Sequence, residues 1–474
     1  MSDSSKMEGS IDEGRLMRIL PTNTTVEQQL VERLELPRRE KVTDQLFWRE
    51  GEPDTPESWM DCFFKMSPHI VTVLENPNSI DAQKEITQFD EWFRLELQMF
   101  AEQIIASDST ITIEQLKKNI VARAAEYIYF SDVLPNKKNL HDVSLELVTS
   151  SPNTERIRTS PATGVTLDHI YGYPNWIQKE LDDFAGTIKD RSPIDFSDAK
   201  ILENNNDLIT ELIHIATDII TLELPISEGT RERLDIVQQL LHEAIIVNRE
   251  KGKKPVIISL GSGMGRGVLD VVKELQDYIK EAILIDFDQE SVAKSQVKAQ
   301  EYGVQSLCKF LPHDLSKVIG GKQILKDFLG SYGVVVDDGT SVIIECAGMD
   351  DYFSSRIRKN FNANIFSMFA SHPESFYIVS HIGKAANGNS YPQQNVLESI
   401  FRWSKELKVQ MYGASRGELI QTFSEASNKT LGQPSHVHLV AEKEDSKKIY
   451  HIFMFSNKEA DISQIQNNPP LPSL

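Results

Sequence analysis

The feature that most constrains this chain is a glycine-rich turn that follows a short apolar run. Residues 256–260 read Val-Ile-Ile-Ser-Leu, and Gly261, Gly263 and Gly265 follow before a helical pattern begins. An apolar strand that leads into a glycine-rich turn and then a helix is typical of the first strand-to-helix connection in a doubly wound α/β sheet. Glycine is favoured there because the turn needs unusual dihedral angles and a ligand must approach the backbone closely.

Strand and helix patterns alternate after residue 254. The apolar runs that predict strands are residues 255–260, 282–285, 307–311, 340–346, 376–382, 436–441 and 449–455. Strands separated by helices predict a mostly parallel sheet that is covered on both faces. The last two runs flank a polar turn and predict an antiparallel hairpin. The predicted fold class is therefore α/β, a doubly wound, mostly parallel, seven-stranded Rossmann-like sheet with a C-terminal antiparallel hairpin, preceded by a mainly α-helical N-terminal domain.

The first half of the chain has a different pattern. Before residue 250 the apolar residues recur mostly at helical spacing, with interruptions rich in Pro, Asn, Ser and Thr. We predict a disordered N-terminus over residues 1–14 and a mainly helical accessory domain over 15–225 that covers the substrate side. The cofactor-binding domain is predicted over residues 226–460, and the proline-containing residues 461–474 are expected to form a flexible tail.

Composition narrows the classes of partner. The 474 residues include 50 Lys and Arg against 70 Asp and Glu, a net charge of −20, which disfavours a nucleic-acid partner. Three cysteines are too few for a disulfide framework or a paired-cysteine metal site, and they favour a reducing, cytoplasmic location. No long apolar run predicts a membrane span, and the polar start does not match a secretory signal. We expect a small-molecule substrate and no metal; the oligomeric state stays open.

An acidic residue completes the pattern around the glycine turn. The second predicted strand leads directly into Asp286, about 20 positions beyond the turn, where a carboxylate can accept hydrogen bonds from the ribose hydroxyls of an adenosine-type cofactor. A dinucleotide motif would need Gly or Ala six positions into the turn, but Arg266 or Val268 stands there. S-adenosylmethionine (SAM), a dinucleotide and a glycine turn without a ligand are the three interpretations.

With these residues, the segment 228–456 resembles the class I SAM-dependent methyltransferases. The spacing of the three glycines matches the family's cofactor loop, and Asp286 matches its ribose-binding acid. Asp314 matches the position that faces the adenine amine, and residues 345–348 match the segment that flanks the methyl group. Ser259 stands where the family usually has Asp or Glu, so Ser262 or a water is a candidate for that contact. The resemblance implies SAM bound by Ser259, Gly261, Ser262, Gly263, Gly265, Asp286, Phe287, Asp314, Glu345 and Ala347.

A narrower resemblance concerns the segment after the fourth predicted strand. Residues 347–353, Ala-Gly-Met-Asp-Asp-Tyr-Phe, are similar to the "AGLFDYL" segment of bacterial methyltransferases that make 3-hydroxy fatty acid methyl esters. Residues 380–382, Ser-His-Ile, differ from the Gly-Asn-Phe that this group has after the fifth strand. The difference concerns the substrate and leaves the cofactor assignment unchanged.

Three residues near the carboxyl ends of the strands are candidates for catalysis. Asp351 could act on the acceptor or satisfy backbone donors at a helix start, and Tyr352 could pack over the cofactor or belong to the core. His381 could be a base or a hydrogen-bonded core histidine. Arg231 and Arg233 could bind an anionic substrate or form a solvated helix start.

The function predicted from the sequence is SAM-dependent methyl transfer to a small-molecule carboxylate or hydroxyl. Alignment of acceptor and methyl group accounts for most of such catalysis, so the lack of a catalytic triad is no objection. The alternatives are a non-catalytic SAM-fold scaffold or regulatory protein, and an NAD(P)-linked oxidoreductase. Turnover of SAM separates the first alternative from an enzyme, and calorimetry with SAM and NAD separates the second.

The ribose assignment predicts the effect of Asp286→Ala. The substitution removes two charge-assisted hydrogen bonds worth roughly 1.5–3 kcal/mol each, so the affinity for SAM should fall at least about tenfold. Isothermal titration calorimetry with SAM measures this, and an unchanged dissociation constant would remove Asp286 from the site.

Overall fold

The computed structural model describes two compact units of the chain. The described residues are 78–88, 151–160, 164–191, 206–223, 225–369, 374–383, 411–431 and 437–458, with residues 73, 98–99, 101–102, 104–106, 149 and 372. One unit comprises the described residues of Met1–Glu155 with Pro174–Thr221, and the other comprises those of Arg156–Tyr173 with Leu222–Leu474. The predictions for residues 1–14, for 461–474 and for most of 15–150 lie outside the described residues.

Up to residue 223, the regular elements of the described residues are all helices. They are α1 (Ile80–Thr87), α2 (Pro152–Thr159), α3 (Gly164–Asp190) and α4 (Asn206–Leu222). The unit over Pro174–Thr221 buries apolar residues of α3 and α4 at three- and four-residue spacing, among them Ile177, Leu181, Ile188, Leu212 and Ile219. No helix within the described ranges is both long enough and apolar enough to cross a membrane.

The second unit alternates strands and helices. Its helices are α5 (Pro225–Glu250), α6 (Arg266–Leu275), α7 (Gln289–Glu301), α8 (Ser316–Ile319), α9 (Leu325–Ser331), α10 (Ser355–Met368) and α11 (Arg416–Leu431). Its strands are β1 (Val256–Leu260), β2 (Glu281–Asp286), β3 (Cys308–Pro312), β4 (Val342–Ala347), β5 (Phe376–Ile382), β6 (His438–Glu444) and β7 (Tyr450–Ser456). Short 3₁₀ turns lie at Gln276–Tyr278, Gln305–Leu307 and Asp350–Tyr352.

The seven strands form one sheet in the order β3-β2-β1-β4-β5-β7-β6. β1 to β5 are parallel, β7 runs antiparallel to β5, and β6 pairs antiparallel with β7. This confirms the predicted mostly parallel seven-stranded sheet with its C-terminal hairpin. The strand order changes direction between β3 and β4, so β1 and β4 are neighbours at the centre of the sheet. Their carboxyl ends form the switch point where such sheets bind ligands.

The core of this unit lies on both faces of the sheet. β1 and β5 are buried along their whole length, which explains their continuous apolar sequences. One face packs against α9, α10 and α11 and carries an aromatic cluster of Phe366, Tyr377, Phe423, Phe453 and Phe455. α5 packs against α6 and against β4, β5 and β7. The sheet is therefore a rigid frame for the residues at its carboxyl edge.

We predict that Phe453→Ala strongly destabilises the sheet. Phe453 is fully buried between Phe423 and Phe455, and removal of a buried phenyl ring costs about 3–5 kcal/mol of unfolding free energy. Urea denaturation should show a large fall in the midpoint. Val335→Ala is the control, since Val335 is 70% exposed and its loss should change stability by less than about 0.5 kcal/mol. Equal midpoints for the two variants would contradict the packing.

Candidate active site

The glycine turn lies between β1 and α6 in a left-handed backbone conformation. The φ angles of Gly261, Gly263 and Gly265 are 68°, 54° and 70°, a region that residues with a side chain rarely adopt. The amides of Gly261 and Ser262 donate hydrogen bonds of 2.9 and 3.0 Å to the carbonyl oxygen of Ile285. The turn is therefore fixed to the end of β2, beside the predicted ribose acid.

Two of the three glycines are required by contacts within the protein. A Cβ atom at position 265 would lie 2.7 Å from Cδ2 of Leu284, and one at position 263 would lie 2.8 Å from the Cα atom of Gly164. In turn, a Cβ atom on Gly164 would lie 2.4 Å from the Gly263 Cα atom. The backbone of Gly164, the first residue of α3, therefore packs directly against Gly263. The sequence pattern did not reveal this contact.

A cavity of about 50 Å³ opens at the carboxyl ends of β1 and β4. Its walls come from the start of α3, from α5, from the glycine turn and from the two strand ends. The lining residues are Gly164, Leu167, Asp168, Tyr171, Arg233, Leu234, Val237, Ser259, Gly261, Ser262, Gly263, Met264, Arg266, Gly267, Val268, Glu345 and Ala347. Six of the ten predicted cofactor residues line it, namely Ser259, Gly261, Ser262, Gly263, Glu345 and Ala347.

The other four predicted cofactor residues do not line this cavity. Gly265 caps the start of α6, and Phe287 is 63% exposed. Asp314 is exposed, and its Oδ1 accepts a hydrogen bond of 2.7 Å from the Ser316 amide. Phe287 follows the carboxyl end of β2 and Asp314 follows that of β3, so they lie one and two strands away from the cavity.

Asp286 supports the glycine turn directly. Its Oδ2 accepts a hydrogen bond of 2.7 Å from the Gly263 amide, and its Oδ1 accepts one of 2.9 Å from the Asp288 amide. Burial raises the pKa of this carboxyl, while the backbone donors oppose the shift. Loss of the Asp286 side chain would therefore disturb the turn as well as any ribose contact.

Glu345 and Ser259 form a polar pair at the centre of the site. They are register partners on the neighbouring strands β4 and β1, and the Ser259 hydroxyl donates to Oε2 of Glu345 at 2.5 Å. Oε1 of Glu345 accepts a hydrogen bond of 2.7 Å from the Ala347 amide. Burial raises the pKa of Glu345, with the hydroxyl, the amide and the nearby charge of Arg233 acting in the opposite direction.

The candidate catalytic residues Asp351 and His381 belong to a buried charge cluster with Arg233, Asp350 and Arg358. Nδ1 of His381 lies 3.3 Å from Oδ2 of Asp350 and 3.4 Å from Oδ1 of Asp351. Arg233 pairs with Asp351 at 3.2 Å, and Arg358 pairs with Asp350 at 3.0 Å. Each of the five residues is at most 2% exposed, so their charges are compensated within the cluster.

Asp351 has a structural partner on a neighbouring strand. It lies in the 3₁₀ turn after β4, and its Oδ1 accepts a hydrogen bond of 2.7 Å from the Ile382 amide at the end of β5. Burial raises its pKa, and the charges of His381 and Arg233 oppose the shift. Tyr352 is half-buried and packs against the core, where burial and then the Asp351 charge raise its pKa. None of the three predicted catalytic residues lines the cavity.

Arg233 is the main polar residue of the site whose role the sequence pattern left open. The interpretation as a solvated helix start is wrong for it, because it is 2% exposed. Its guanidinium donates to the Tyr171 hydroxyl at 3.2 Å and stacks 4.5 Å above the Tyr450 ring centre. The available signal was helical spacing, since Arg233 precedes the buried residues Val237 and Leu241 by four and eight positions.

Arg231 has different neighbours. Its guanidinium donates to the Leu222 carbonyl oxygen at 2.8 Å and lies 5.1 Å from the centre of the Tyr173 ring. Arg231 does not line the cavity, so an anionic ligand there would meet Arg233 or Arg266 instead.

One segment of the second unit is similar to a known protein family. Residues 222–317 match the model of a family described as "Putative methyltransferase". This segment begins at the end of α4 and contains α5, the glycine turn, Asp286 and Asp314. A comparison with curated proteins gives no match.

Similar solved structures share little sequence with this chain. A protein from Bordetella parapertussis described as a possible exported protein is 12% identical, with a TM-score of 0.36 over 67% of this chain and 96% of that chain. The mitomycin 7-O-methyltransferase MmcR is also 12% identical, with a TM-score of 0.32 over 80% and 97%. A geranyl diphosphate C-methyltransferase from Streptomyces coelicolor A3(2) is 8% identical, with a TM-score of 0.31 over 44% and 73%.

The strand order and the glycine turn after β1 are those of the Rossmann-like fold predicted from the sequence, and residues 222–317 are similar to a family of methyltransferases. SAM is the cofactor that the glycine spacing predicts for such a protein. The more specific similarity to fatty acid methyl ester enzymes stays a prediction.

We predict that the buried charge cluster makes Arg233 and Asp351 energetically dependent on each other. Arg233→Met leaves the Asp351 carboxylate without its partner, which costs about 3–5 kcal/mol of unfolding free energy. The double variant Arg233→Met, Asp351→Asn should lose less than the sum of the two single variants, because the unpaired charge is gone. Denaturation of the four proteins measures the coupling, and strictly additive losses would show that the two side chains do not interact.

Proposed function

We propose that the protein transfers the methyl group of SAM to the carboxylate of a small molecule, with SAM in the cavity at the ends of β1 and β4. The observation that carries this proposal is the composition of the site: a cavity bounded by the glycine turn, with a buried acid and a buried guanidinium in its walls. Bound SAM supplies an activated methyl group. The protein aligns the acceptor with it and excludes water.

The polar groups of the cavity fit such a ligand. Oγ of Ser262 and Nε of Arg233 are buried and find no hydrogen-bond partner among the described residues. Glu345 adds a carboxylate to the same wall. A zwitterionic amino acid group, which carries one ammonium and one carboxylate, is a chemical complement to these walls. We assign the ribose to Asp286 and the adenine to the neighbourhood of Phe287 and Asp314, which follow the ends of β2 and β3.

The catalytic candidates favour a carboxylate acceptor over a hydroxyl. A hydroxyl acceptor usually needs a base, whereas a carboxylate is already a nucleophile. Asp351 is paired with Arg233, both ring nitrogens of His381 are buried without a hydrogen-bond partner among the described residues, and neither residue lines the cavity. Glu345 lines it but accepts hydrogen bonds through both oxygens. The similarity of residues 347–353 to a segment of enzymes that make fatty acid methyl esters supports the same choice.

The roles of Asp351, Tyr352 and His381 change under this proposal. We propose that they position the segment after β4, since Asp351 joins that segment to β5 and Arg233 of α5. Proton transfer is not required of them. The domain limits at residues 225 and 460, the covering role of residues 15–225 and the cytoplasmic location stay predictions.

A methyl-transfer assay with matched acceptors tests the proposal. The full-length protein is incubated with methyl-labelled SAM and with pools of small carboxylic acids or of the corresponding alcohols, and S-adenosylhomocysteine is measured by mass spectrometry. We expect turnover with the acids, and a labelled product that alkali hydrolyses, since a methyl ester is base-labile and a methyl ether is not. Products from the alcohols alone would overturn the carboxylate assignment.

Two controls define the site and the reaction class. Ser262→Leu places a larger apolar side chain in the cavity wall and should abolish both SAM binding and turnover, while Glu425→Gln, at an exposed ion pair with Lys359, should change neither. SAM binding without any S-adenosylhomocysteine from either pool would favour the non-catalytic scaffold.

A further inference from the structure

The acid that the class usually carries at the end of the first strand is missing from this chain. Ser259 occupies that position on β1. Its hydroxyl carries no charge, so it cannot by itself neutralise a ligand ammonium group. The neighbouring strand offers a replacement, since the register partner of Ser259 on β4 is Glu345.

The position of Glu345 suits contact with a charged ligand. It is 6% exposed and lines the cavity, and Ser259 lines the same wall. Both of its oxygens accept hydrogen bonds from neutral donors, the Ser259 hydroxyl and the Ala347 amide. Within the described part of the chain, no Lys, Arg or His forms an ion pair with Glu345. A buried carboxylate without a cation is costly for the folded protein unless a ligand supplies the positive charge.

The opposite sign is present in the same cavity. Arg233 and Arg266 line it, and Nε of Arg233 lacks a partner among the described residues. Arg266 is engaged with Asp168 at 3.3 Å. The cavity therefore contains a carboxylate and a guanidinium N–H without a partner among the described residues, a donor and acceptor set that suits an α-amino acid group.

We infer that Glu345 is the anionic anchor for the α-ammonium group of the cofactor, and that Ser259 is a positioning residue that holds Oε2 of Glu345. The carboxylate is thus supplied by the register partner on β4 instead of by the residue on β1. This inference rests on the proposed function, because it requires SAM in this cavity. It explains why the first strand can carry a serine without loss of the ammonium contact.

Binding of two ligands to Glu345→Gln tests the inference. S-adenosylhomocysteine contains the amino acid group, and 5′-methylthioadenosine lacks it. Glutamine is isosteric: its oxygen can accept from the Ala347 amide, and its amide can donate to the Ser259 hydroxyl. Loss of one charge-assisted interaction should weaken S-adenosylhomocysteine at least about tenfold in calorimetry, while 5′-methylthioadenosine stays within about twofold of the wild type.

A charge-relocation variant and a matched control complete the experiment. Ser259→Asp combined with Glu345→Gln returns the carboxylate to β1 and should restore the affinity for S-adenosylhomocysteine. Glu425→Gln removes an exposed acid in the same unit and should leave both ligands unaffected.

The outcomes separate the inference from the proposed function. If Glu345→Gln weakens both ligands equally, Glu345 maintains the fold of the site and the inference is wrong. If it weakens neither, the ammonium anchor lies elsewhere and the inference is also wrong, although the proposed function stands. If the wild type binds neither ligand, the proposed function fails and the inference fails with it.

Discussion

The parallel pairing of β1 with β2 on one side and β4 on the other determines the geometry of the whole site. The pairing with β2 places Leu260 beside Ile285, so that the glycine turn can hydrogen-bond to the end of β2. The pairing with β4 places Ser259 beside Glu345. A shift of either register by one residue would turn every side chain to the other face of the sheet. The cavity, its acid and the position of Asp286 all depend on these two ladders.

Sequence patterns were sufficient for the elements of the sheet and for the turn. The apolar runs marked the strands, since inner strands such as β1 and β5 are buried along their whole length and continuously apolar. The glycines marked the turn because residues with a side chain rarely adopt its φ angles. Local rules also located Asp286, which directly follows an apolar run. Each of these signals depends on residues that are close together in the sequence, so the sequence alone is enough to recognise it.

Contacts between distant segments could not be predicted in the same way. The approach of Gly164 to Gly263, the burial of Arg233 against Asp351 and the pairing of Ser259 with Glu345 depend on how strands and helices pack. An arginine near a helix start is usually solvated, and the sequence analysis therefore favoured an exposed Arg233 although its helical spacing matched that of buried residues. The burial of Asp351 and His381 and the ion pair of Asp351 with Arg233 are likewise tertiary properties.

The position of β7 inside the sheet has a consequence for how the protein is synthesised. β5 has β4 on one side, but its other edge is completed by β7, which comes almost at the end of the described chain. At roughly 5–20 residues per second, a ribosome needs several seconds to go from β5 to β7. During that interval the apolar edge of β5 has no partner strand, and unpaired edges of this kind join other chains. The nascent protein therefore depends on the rapid arrival of β7, or on a chaperone, to keep this edge from pairing with another chain.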